Sequence, residues 1–590
     1  MRQEEFIAQL EKHEELLGEN TRRANKVGYA KLLLVLTMGA LVFFMFTRGF
    51  PQVLLLLGGV GLVGLIALWV YHHRIYEKIG YLKGLIAVNK RHLARISGGW
   101  TDFADMGAEF VDVEHPYSGD LDIVGNKSLF QFLNTTHTWY GRQSFAWALL
   151  GDADGYVGET HVRQEAITEL AQDIEFSNHM EYCFSKIGAS SAVCKLAEDM
   201  AGGGDFIKSN GVKYLLMVMP FVTVACIAAA AWTRHSGVAI AGVAFAVLQM
   251  GLWIATMLKT MGYLKPISRL PYSLGAYAEV IGNITDREFK SQRLNQIKGV
   301  FASQAIEAIK ELEAIANKVN LRHNAMFWFI ANVLLLWDFW CAVLFEQWRH
   351  KYASALESWF AALGEFESLM CFAAFPNVCG NTCLPSVAGE NTVFAKSLGH
   401  PLIQEDARVC NDIHWDNKII IISGSNMSGK TTFMRTLGLN LVLARAGSYV
   451  CAESLDFPLI PVMTSMRIAD DLSQGVSTFY AELKRIRGII ALAEKGPVMF
   501  FIDEIFRGTN SVDRLSGART VLSKLHELGA VGTITTHDLE LCEVAALLPR
   551  IENYNFSEEY RGGEILFDYR IRVGKSTTTN ARYLMELVGI

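Results

Sequence analysis

Four long stretches without a charged side chain stand out in the pattern of hydrophobic and polar positions along the chain. They form two close pairs, residues 32–46 with 53–71 and residues 214–232 with 237–258. Uncharged segments of this length leave no polar face for water, and about 20 residues of helix cross the apolar core of a bilayer. The pattern therefore predicts two transmembrane helical hairpins, each joined by a short turn.

Two other interpretations exist for these stretches. A cleaved signal peptide fits poorly, because about thirty mostly polar residues precede the first stretch and a second stretch follows at once. Buried helices of a water-soluble core would also lack charge. The sequence leaves this alternative open, more so for the second pair than for the first.

Basic side chains cluster at those ends of the four stretches that lie away from the two turns. The flanking residues are Arg22, Arg23, Lys26 and Lys31, then Arg74, Lys78, Lys83, Lys90, Arg91 and Arg95, then Lys208 and Lys213, and finally Lys259 and Lys265. The only Lys or Arg residues in the turns are Arg48 and Arg234. Because cytoplasmic loops are enriched in Lys and Arg, the pattern predicts a multi-pass protein of the inner or plasma membrane with both termini in the cytoplasm.

The composition is typical of apolar segments added to an ordinary globular chain. The 590 residues are 51% hydrophobic and 19% charged, with a mean hydropathy of +0.21 and a formal net charge of −6. This mild acidity argues against nucleic-acid binding through bulk charge, although a local basic surface stays open. The ten cysteines have no regular spacing, and the close pair Cys379 and Cys383 lacks a second pair at zinc-site spacing, which favours reduced thiols in a cytoplasmic protein.

The C-terminal third contains a complete phosphate-loop motif. An apolar run that starts at Ile419 is typical of a buried parallel strand, and the segment from Gly424 to Thr431 matches G-x-x-x-x-G-K-[ST]. Glycines let backbone N–H groups curl around phosphates, and the following helix points its positive end at them. We expect Lys430 to reach the β- and γ-phosphates of ATP and Thr431 to bind Mg²⁺.

Two further apolar runs end in residues suited to the same chemistry. The first, VMFFIDE at residues 498–504, ends in Asp503, expected to hold Mg²⁺, and Glu504, expected to orient and polarise the attacking water. The second, GTITT at residues 532–536, precedes His537, which we expect near the γ-phosphate. Strands that alternate with helices in this region predict a doubly wound α/β domain, in which ligands bind at the carboxyl ends of the strands.

A fifth apolar stretch, residues 326–345, is ambiguous. It contains Asn332 and Asp338, which are costly in lipid. A fifth span would also put the ATP site on the opposite side of the membrane from the basic N-terminus. The sequence therefore favours a buried helix of a water-soluble region here.

Together these motifs resemble the ATPase of the MutS family of DNA mismatch repair proteins. The segments that carry the resemblance, in the family's order and spacing, are GSNMSGKTTFMR (residues 424–435), GSYV (447–450), ADDLSQGVSTF (469–479), DEIFRGTNSVD (503–513) and THD (536–538). A weaker resemblance to the family's core domain involves residues 121–133, 136–141, 163–170 and 400–402. The likeness thus covers about residues 100–210 and 265–590.

The resemblance implies a P-loop NTPase domain of the ABC/MutS type that hydrolyses ATP with Mg²⁺ in a homodimer. The implied nucleotide-binding residues are Gly424, Ser425, Asn426, Met427, Ser428, Gly429, Lys430, Thr431, Thr432, Ser477 and Thr478. Asn426 would sense the γ-phosphate, while Ser477 and Thr478 of one subunit would face the γ-phosphate bound by the other. Lys430, Glu504 and His537 would serve catalysis, and Thr431 and Asp503 would hold the metal.

The departures from the family concern DNA recognition. The sequence shows no N-terminal mismatch-reading domain and no Phe-x-Glu wedge in a suitable context, and Ser425 and Ser428 replace residues usual in the family's phosphate loop. The second hairpin lies where family members carry long levers and a DNA clamp. The predicted organisation is residues 1–28 as an N-terminal cytoplasmic helix, 29–74 and 211–260 as transmembrane hairpins, 75–210 and 261–400 as a mostly helical MutS-core-like region, and 401–590 as the ATPase domain.

The sequence leaves three functions to weigh. The first is an ATP-switched, mismatch-repair-like DNA-binding protein tethered to the membrane, which depends on the family resemblance alone. The second is an ATP-driven membrane machine with a protein or lipid partner and no role on DNA. The third, a structural anchor with an inactive ATPase, is disfavoured because Lys430, Thr431, Asp503 and Glu504 are all present.

Overall fold

The computed structural model describes residues 2–48, 52–151, 159–188, 204, 206–207, 209–268, 274–302, 304–389, 391–467, 478–506, 510–561 and 564–576. Its helices are α1 (Arg2–Arg48), α2 (Gln52–Ile96), α3 (Leu129–Leu133), α4 (Trp139–Leu150), α5 (Thr160–Gln172), α6 (Ile174–Ser185), α7 (Asn210–Thr233), α8 (Ser236–Tyr263), α9 (Lys265–Ser268), α10 (Leu274–Asp286), α11 (Gln292–Phe301), α12 (Ala305–Asn320), α13 (Ala325–Leu335), α14 (Trp337–Val378), α15 (Lys430–Arg445), α16 (Thr478–Ala493) and α17 (Ser511–Glu527). Its strands are β1 (Ser386–Val387), β2 (Thr392–Leu398), β3 (Asn411–Asp416), β4 (Ile419–Ser423), β5 (Ser454–Phe457), β6 (Val462–Ser465), β7 (Met499–Asp503), β8 (Val531–Thr536), β9 (Ile551–Arg561) and β10 (Glu564–Val573).

Helices α1 and α2 pack against each other and form the first apolar hairpin. Along the apolar part of the hairpin their large side chains are exposed, including Leu33, Phe43 and Leu56. Far from the turn the same helices join the protein core, where Phe6 is buried and stacks on His92 at 5.1 Å between ring centroids. The boundaries that we predicted after residues 28 and 74 therefore fall inside continuous helices.

Helices α7 and α8 form the second apolar hairpin. They approach each other closely at Gly242, where an added Cβ would lie 3.3 Å from Ile227 and 3.4 Å from Cys226. By length and composition, four helices in the described part of the chain are long and apolar enough to cross a membrane, namely α1, α2, α7 and α8. A bent helix pair would make a fifth span if it were counted as one.

That bent pair corrects our expectation for residues 326–345. The stretch is two helices, α13 and α14, bent by 79° at Leu336, which has a left-handed φ of 49°. The α14 part is buried as expected, but α13 exposes Met326, Phe329 and Ile330. The prediction of a buried helix is therefore wrong for the first half, which packs against α7, α8 and α14 but leaves these side chains exposed.

The long helix α14 is the centre of the helical region, because it packs against α4, α5, α11 and α12. Its Glu367 is fully buried at the start of α4, where it accepts hydrogen bonds from the Thr138 hydroxyl at 2.5 Å and from the Thr138 and His137 backbone N–H groups. Burial raises the pKa of Glu367 to about 8. A protonated carboxyl can fill this position without a buried charge.

The C-terminal region contains two sheets. The larger has the strand order β10-β9-β4-β8-β7-β6, in which the five strands from β9 to β6 run parallel and β10 is antiparallel. Alternate residues of β4 face opposite sides: Ile420 and Ile422 belong to the same core as Leu437 of α15, whereas Ile421 packs in the core that contains Leu522 of α17. Helices thus cover both faces of this sheet, in agreement with the predicted doubly wound arrangement.

The smaller sheet has the strand order β1-β5-β2-β3. Its strands come from both sides of residue 401 in the sequence. Its strands β1 and β2 precede residue 401, and β2 pairs with both β3 and β5. The predicted start of the ATPase domain at residue 401 therefore divides this sheet, and the sheet begins at Ser386.

Candidate functional site

The phosphate-loop motif lies between the fully buried strand β4 and the first turn of α15. Gly424 and Gly429 have φ values of 151° and 104°, which side chains rarely adopt. A Cβ on Gly424 would meet the Phe556 carbonyl at 2.7 Å, and one on Gly429 would meet the Tyr569 ring at 3.1 Å. Both glycines are thus required by backbone conformation and by space, and the loop forms a cradle at the N-terminus of α15.

Lys430 and Ser428 supply the polar groups of this cradle. The buried Lys430 ammonium donates to the carbonyls of Gly424 at 2.9 Å and Ser425 at 2.7 Å, which holds its charge inside the loop. The Ser428 hydroxyl is also buried, and no described residue gives it a hydrogen-bond partner. A positive charge and an unsatisfied hydroxyl inside a ring of backbone N–H groups suit a polyphosphate.

Asp503 lies at the carboxyl end of β7, beside the phosphate loop. Its Oδ2 accepts from the Thr431 hydroxyl at 2.9 Å and its Oδ1 from the Thr535 hydroxyl at 2.5 Å. Thr431 and Asp503 thus place two oxygen ligands side by side, which is the donor set that Mg²⁺ prefers. The structure brings the two predicted metal-binding residues together.

Glu504 follows Asp503 in a left-handed conformation with a φ of 53°. Its backbone N–H donates to the Thr535 hydroxyl at 3.0 Å, and its carboxylate contacts Nε2 of His537. About a quarter of the Glu504 side chain remains exposed, at 25%. Two predicted catalytic residues are therefore in direct contact with each other and open to solvent.

A cavity of about 520 Å³ extends from the phosphate loop toward the small sheet. Asn426, Met427 and Thr432 line it, as the sequence led us to expect for nucleotide-binding residues. His400 and Tyr569 also line it. Burial, together with the positive charges of Arg435 and Arg408, lowers the pKa of His400 to about 4, so the imidazole is neutral at physiological pH.

Sequence reasoning missed several residues of this site. Thr535 holds both acidic residues because the parallel register of β7 and β8 places it opposite Asp503. Val409 and Tyr569 line the cavity from segments distant along the chain. No local pattern marks these residues. The Thr pair that ends β8 could have indicated a partner for Asp503, provided that β7 and β8 were assumed to be neighbouring strands.

The structure describes only part of the predicted pair Ser477 and Thr478. Ser477 lies outside the described residues, and Thr478 begins α16 with its side chain outside the described set. The implied role of this pair at a partner's γ-phosphate stays a prediction.

A polar link joins the helical region to the ATP site. Asp120 accepts from the Thr464 hydroxyl at 2.6 Å and from the Arg467 backbone N–H at 2.8 Å. Asp122 pairs with Arg467 at 2.5 Å and with Arg435 of α15 at 3.2 Å. The same short segment therefore contacts the helix that follows the phosphate loop and the end of β6.

The C-terminal part of the chain is similar to one family of known proteins. Residues 420–589 match the family model of MutS domain V. The chain is 35% identical over 238 residues to the DNA mismatch repair protein MutS of Symbiobacterium thermophilum, a match that covers 39% of this chain and 27% of that protein. It is 32% identical over 261 residues to the protein of the same name from Dehalococcoides mccartyi, covering 42% and 30%.

A further relative is the DNA mismatch repair protein MutS 2 of Haloarcula marismortui, 29% identical over 283 residues, or 43% of this chain and 29% of that protein. The chain thus spans less than a third of the length of each of these three relatives.

Proposed function

We propose that this protein, whose residues 420–589 match MutS domain V, is a membrane-anchored ATPase that acts as an ATP-switched DNA-binding protein of the mismatch-repair type. The observation that carries this proposal is the assembly of Lys430, Thr431, Asp503 and Glu504 around one phosphate cradle.

ATP binding depends on the phosphate loop. The triphosphate replaces the carbonyl partners of Lys430 and takes the backbone N–H groups of residues 424–431, while the cavity beyond Thr432 receives the rest of the nucleotide. Thr431 and Asp503 hold Mg²⁺, which neutralises charge on the phosphate oxygens when bound. The oxygens of these two residues are already adjacent, so little rearrangement is required.

Hydrolysis depends on Glu504. Its carboxylate orients a water molecule toward the γ-phosphate and accepts a proton as the water oxygen bonds to the γ-phosphorus, while the bond from that phosphorus to the β,γ-bridging oxygen breaks and ADP leaves. His537 contacts this carboxylate and fixes its direction, and Thr535 fixes its backbone. Asp503 stays bound to Thr431 and Thr535 throughout.

Dimerisation follows from the family resemblance. In this arrangement Ser477 and Thr478 of one subunit complete the site of the other, and Asn426 senses the γ-phosphate. ATP binding then closes the dimer, and the helical region transmits the change.

The membrane anchor is supported by the two apolar hairpins, whose exposed side chains would otherwise face water. The distribution of Lys and Arg around them supports a location of both termini and the ATPase domain in the cytoplasm, on the inner or plasma membrane. Four spans keep the ATP site on the side where ATP is found.

DNA binding is supported by the names of the relatives alone, because the sequence shows no DNA-reading motif. The competing function is an ATP-driven membrane machine with a protein or lipid partner. The exposed apolar face of α13 beside the second hairpin is the observation that keeps this alternative in view.

The deciding experiment measures the ATPase rate of the detergent-purified full chain with and without duplex DNA, at low and at moderate salt. The proposal predicts DNA-stimulated hydrolysis that disappears in Glu504→Gln, together with DNA retention that weakens as salt rises. Hydrolysis that ignores DNA, with no retention at low salt, would contradict the DNA role and favour the membrane machine. Absence of hydrolysis in the unmodified chain would reject the ATPase itself.

A further inference from the structure

An apolar groove lies between the second hairpin and the bend that joins α13 to α14. Its volume of about 580 Å³ is within the range of about 300–1,000 Å³ that is typical of ligand sites. One wall belongs to α7, from Pro220 to Ala228, and the other to Leu335 and the first residues of α14. The α7 wall is about 12 Å long, at about 1.5 Å of helix rise per residue. The groove therefore follows about two turns of a helix, which suits an extended apolar chain.

Small side chains on one wall and large rings on the other shape this groove. Ala225 and Ala228 line it from α7, whereas Trp337 and Trp340 line it from α14. The Trp340 ring meets Phe221 of α7 edge-on, at 6.1 Å between ring centroids, so the two walls are in contact. The alanines leave space between walls that already touch, and this space needs no movement of α7 or α14 to receive a ligand.

Basic side chains lie beside this apolar surface. Among the described lining residues Lys318 of α12 is the charged one, and its carbonyl accepts from the Trp337 indole N–H at 3.0 Å. Arg322 follows one turn later, and its Nε donates to the Val319 carbonyl at 3.1 Å. Its Nη2 is buried, and no described residue gives it a hydrogen-bond partner. The groove thus combines an apolar wall with two cations, one of which has an unsatisfied donor.

Within the described ranges, no acidic side chain pairs with these cations. Neither Lys318 nor Arg322 has a carboxylate at salt-bridge distance. The nearby Asp338 of α14 is turned to another partner, since its carboxylate accepts from the Trp328 indole N–H at 2.8 Å. Cations beside an apolar surface are stabilised by an anion that also accepts their hydrogen bonds. The groove therefore suits a ligand with an apolar chain and an anionic group.

The charge pattern of the hairpins separates two kinds of occupant. A membrane span of a second copy would bring an apolar surface, but the four uncharged stretches, residues 32–46, 53–71, 214–232 and 237–258, hold no carboxylate for Lys318. An anionic phospholipid brings both an acyl chain and phosphate oxygens. Long Lys and Arg side chains reach toward headgroups while their stems cover apolar surface, and they are attracted to anionic lipids. The pattern favours the lipid.

We propose that this groove binds an anionic phospholipid, with an acyl chain between α7 and α14 and the headgroup phosphate at Lys318 and Arg322. The inference rests on the proposed membrane anchor, because it needs the second hairpin to lie in a bilayer. The exposed apolar side chains of α13, including Phe329 and Ile330, lie in the same lipid layer. The bound lipid contacts α7, α12 and α14 at once, so it joins the second hairpin to the central helix of the helical region.

The test uses the full chain in nanodiscs of phosphatidylcholine. A small fraction of phosphatidylglycerol carries a photoreactive group on one acyl chain, and mass spectrometry of peptides locates the cross-links. We expect cross-links concentrated at residues 220–228 and 335–344. Unlabelled phosphatidylglycerol should displace the probe from these residues, and additional phosphatidylcholine should not. This selectivity distinguishes a headgroup-dependent site from the lipid that surrounds any membrane span.

Two matched pairs of variants test the two parts of the site. Val224→Trp fills the groove, whereas Val222→Trp puts the same ring at an exposed position of α7 that is not among the lining residues. Only Val224→Trp should remove the groove cross-links. Lys318→Gln removes a cation of the site, and Lys310→Gln removes an exposed one from the same helix. The phosphatidylglycerol concentration for half displacement should rise about fivefold in Lys318→Gln alone, as expected for one basic side chain at an anionic lipid.

Four outcomes would overturn the inference. These are cross-links spread evenly over the apolar faces of both hairpins, displacement by phosphatidylcholine as efficient as by phosphatidylglycerol, groove cross-links that persist in Val224→Trp, or chemical cross-links between two copies at residues 220–228, which would assign the groove to a second copy. The first two readouts need no variant, so a misfolded substitution does not obscure them. A chain that stays in solution without detergent and does not enter nanodiscs would reject the proposed membrane anchor, and the inference with it.

Discussion

At the scale of single residues, the site concentrates backbone strain where the chemistry is expected. Glu504 and Met427 both have left-handed φ values, 53° and 70°. A non-glycine residue in such a conformation costs about 1–3 kcal/mol and persists only where its surroundings hold it. For Glu504 the holding contacts are the Thr535 hydroxyl, which accepts from its backbone N–H, and His537, which contacts its carboxylate.

Replacement of Glu504 by Gln should separate binding from hydrolysis. The amide keeps the shape of the side chain but cannot accept a proton, so we expect ATPase activity to fall by a factor of about 10²–10⁴ while ATP affinity stays close to that of the unmodified chain. Steady-state hydrolysis and equilibrium binding measure the two effects. Glu494→Gln, an exposed position at the end of α16, is the matched control. Equal activity in the two variants would remove Glu504 from the mechanism.

The buried Glu367 should make stability depend on pH. Its pKa in the fold is about 8 because of burial, above the ordinary value of 4.5, so the folded state holds a proton that the unfolded state releases. This contribution is complete below pH 4.5 and is lost as the pH rises toward about 8. We expect the unfolding temperature to fall over this window, and to fall less in Glu367→Gln, which keeps a neutral acceptor.

The control for that experiment is Glu357→Gln, at an exposed position of the same helix. It should follow the unmodified chain at every pH. If Glu367→Gln unfolds with the same pH profile as the Glu357→Gln control, Glu367 is charged in the fold and the Thr138 hydrogen bonds are sufficient to hold it so.

At the scale of helices and strands, pattern and outcome can be compared directly. The strands that end at Asp503 and Thr536 agree with the sequence prediction within a residue. A short apolar run bounded by turn residues is typical of a fully buried strand, so its ends can be read from the sequence. The prediction of one buried helix for residues 326–345 was wrong in its first half, because a uniformly apolar stretch gives no sign of the 79° bend at Leu336. The small sheet escaped prediction because β1, β2, β3 and β5 are short and come from segments far apart in the chain.

Close packing inside the second apolar hairpin gives a prediction at this scale. Gly242 lies against Ile227 and Cys226 of the neighbouring helix, whereas Gly251 on the same helix has no neighbour within 4 Å. Gly242→Leu should force α7 and α8 apart and cost about 1–3 kcal/mol, while Gly251→Leu should be nearly neutral. Thermal unfolding in detergent measures the difference. Equal loss in both variants would mean that leucine is harmful for reasons other than this contact.

At the scale of the whole molecule, contacts between residues far apart in the chain could not be predicted from the sequence. Motif spacing identified the phosphate loop and its acidic partner, because these residues follow strands whose ends must meet in a parallel sheet. Nothing local connects Asp122 to Arg435 or Asp120 to Thr464, which are separated by hundreds of residues. Those contacts decide how the helical region and the ATP site are joined.

The link through Asp122 should carry part of that coupling. Asp122→Asn removes the charge that holds Arg435 of α15 and Arg467 after β6, so we expect the ATPase rate to fall roughly two- to thirtyfold, the range of about 0.5–2 kcal/mol typical of coupling positions. Membrane association should not change, because the substitution leaves both apolar hairpins unaltered. Asp102→Asn, at an exposed position of the same region, is the control for loss of one negative charge. If both variants hydrolyse ATP alike, the contact is structural only; if Asp122→Asn alone loses activity while still binding ATP, the helical region and the nucleotide site communicate through it.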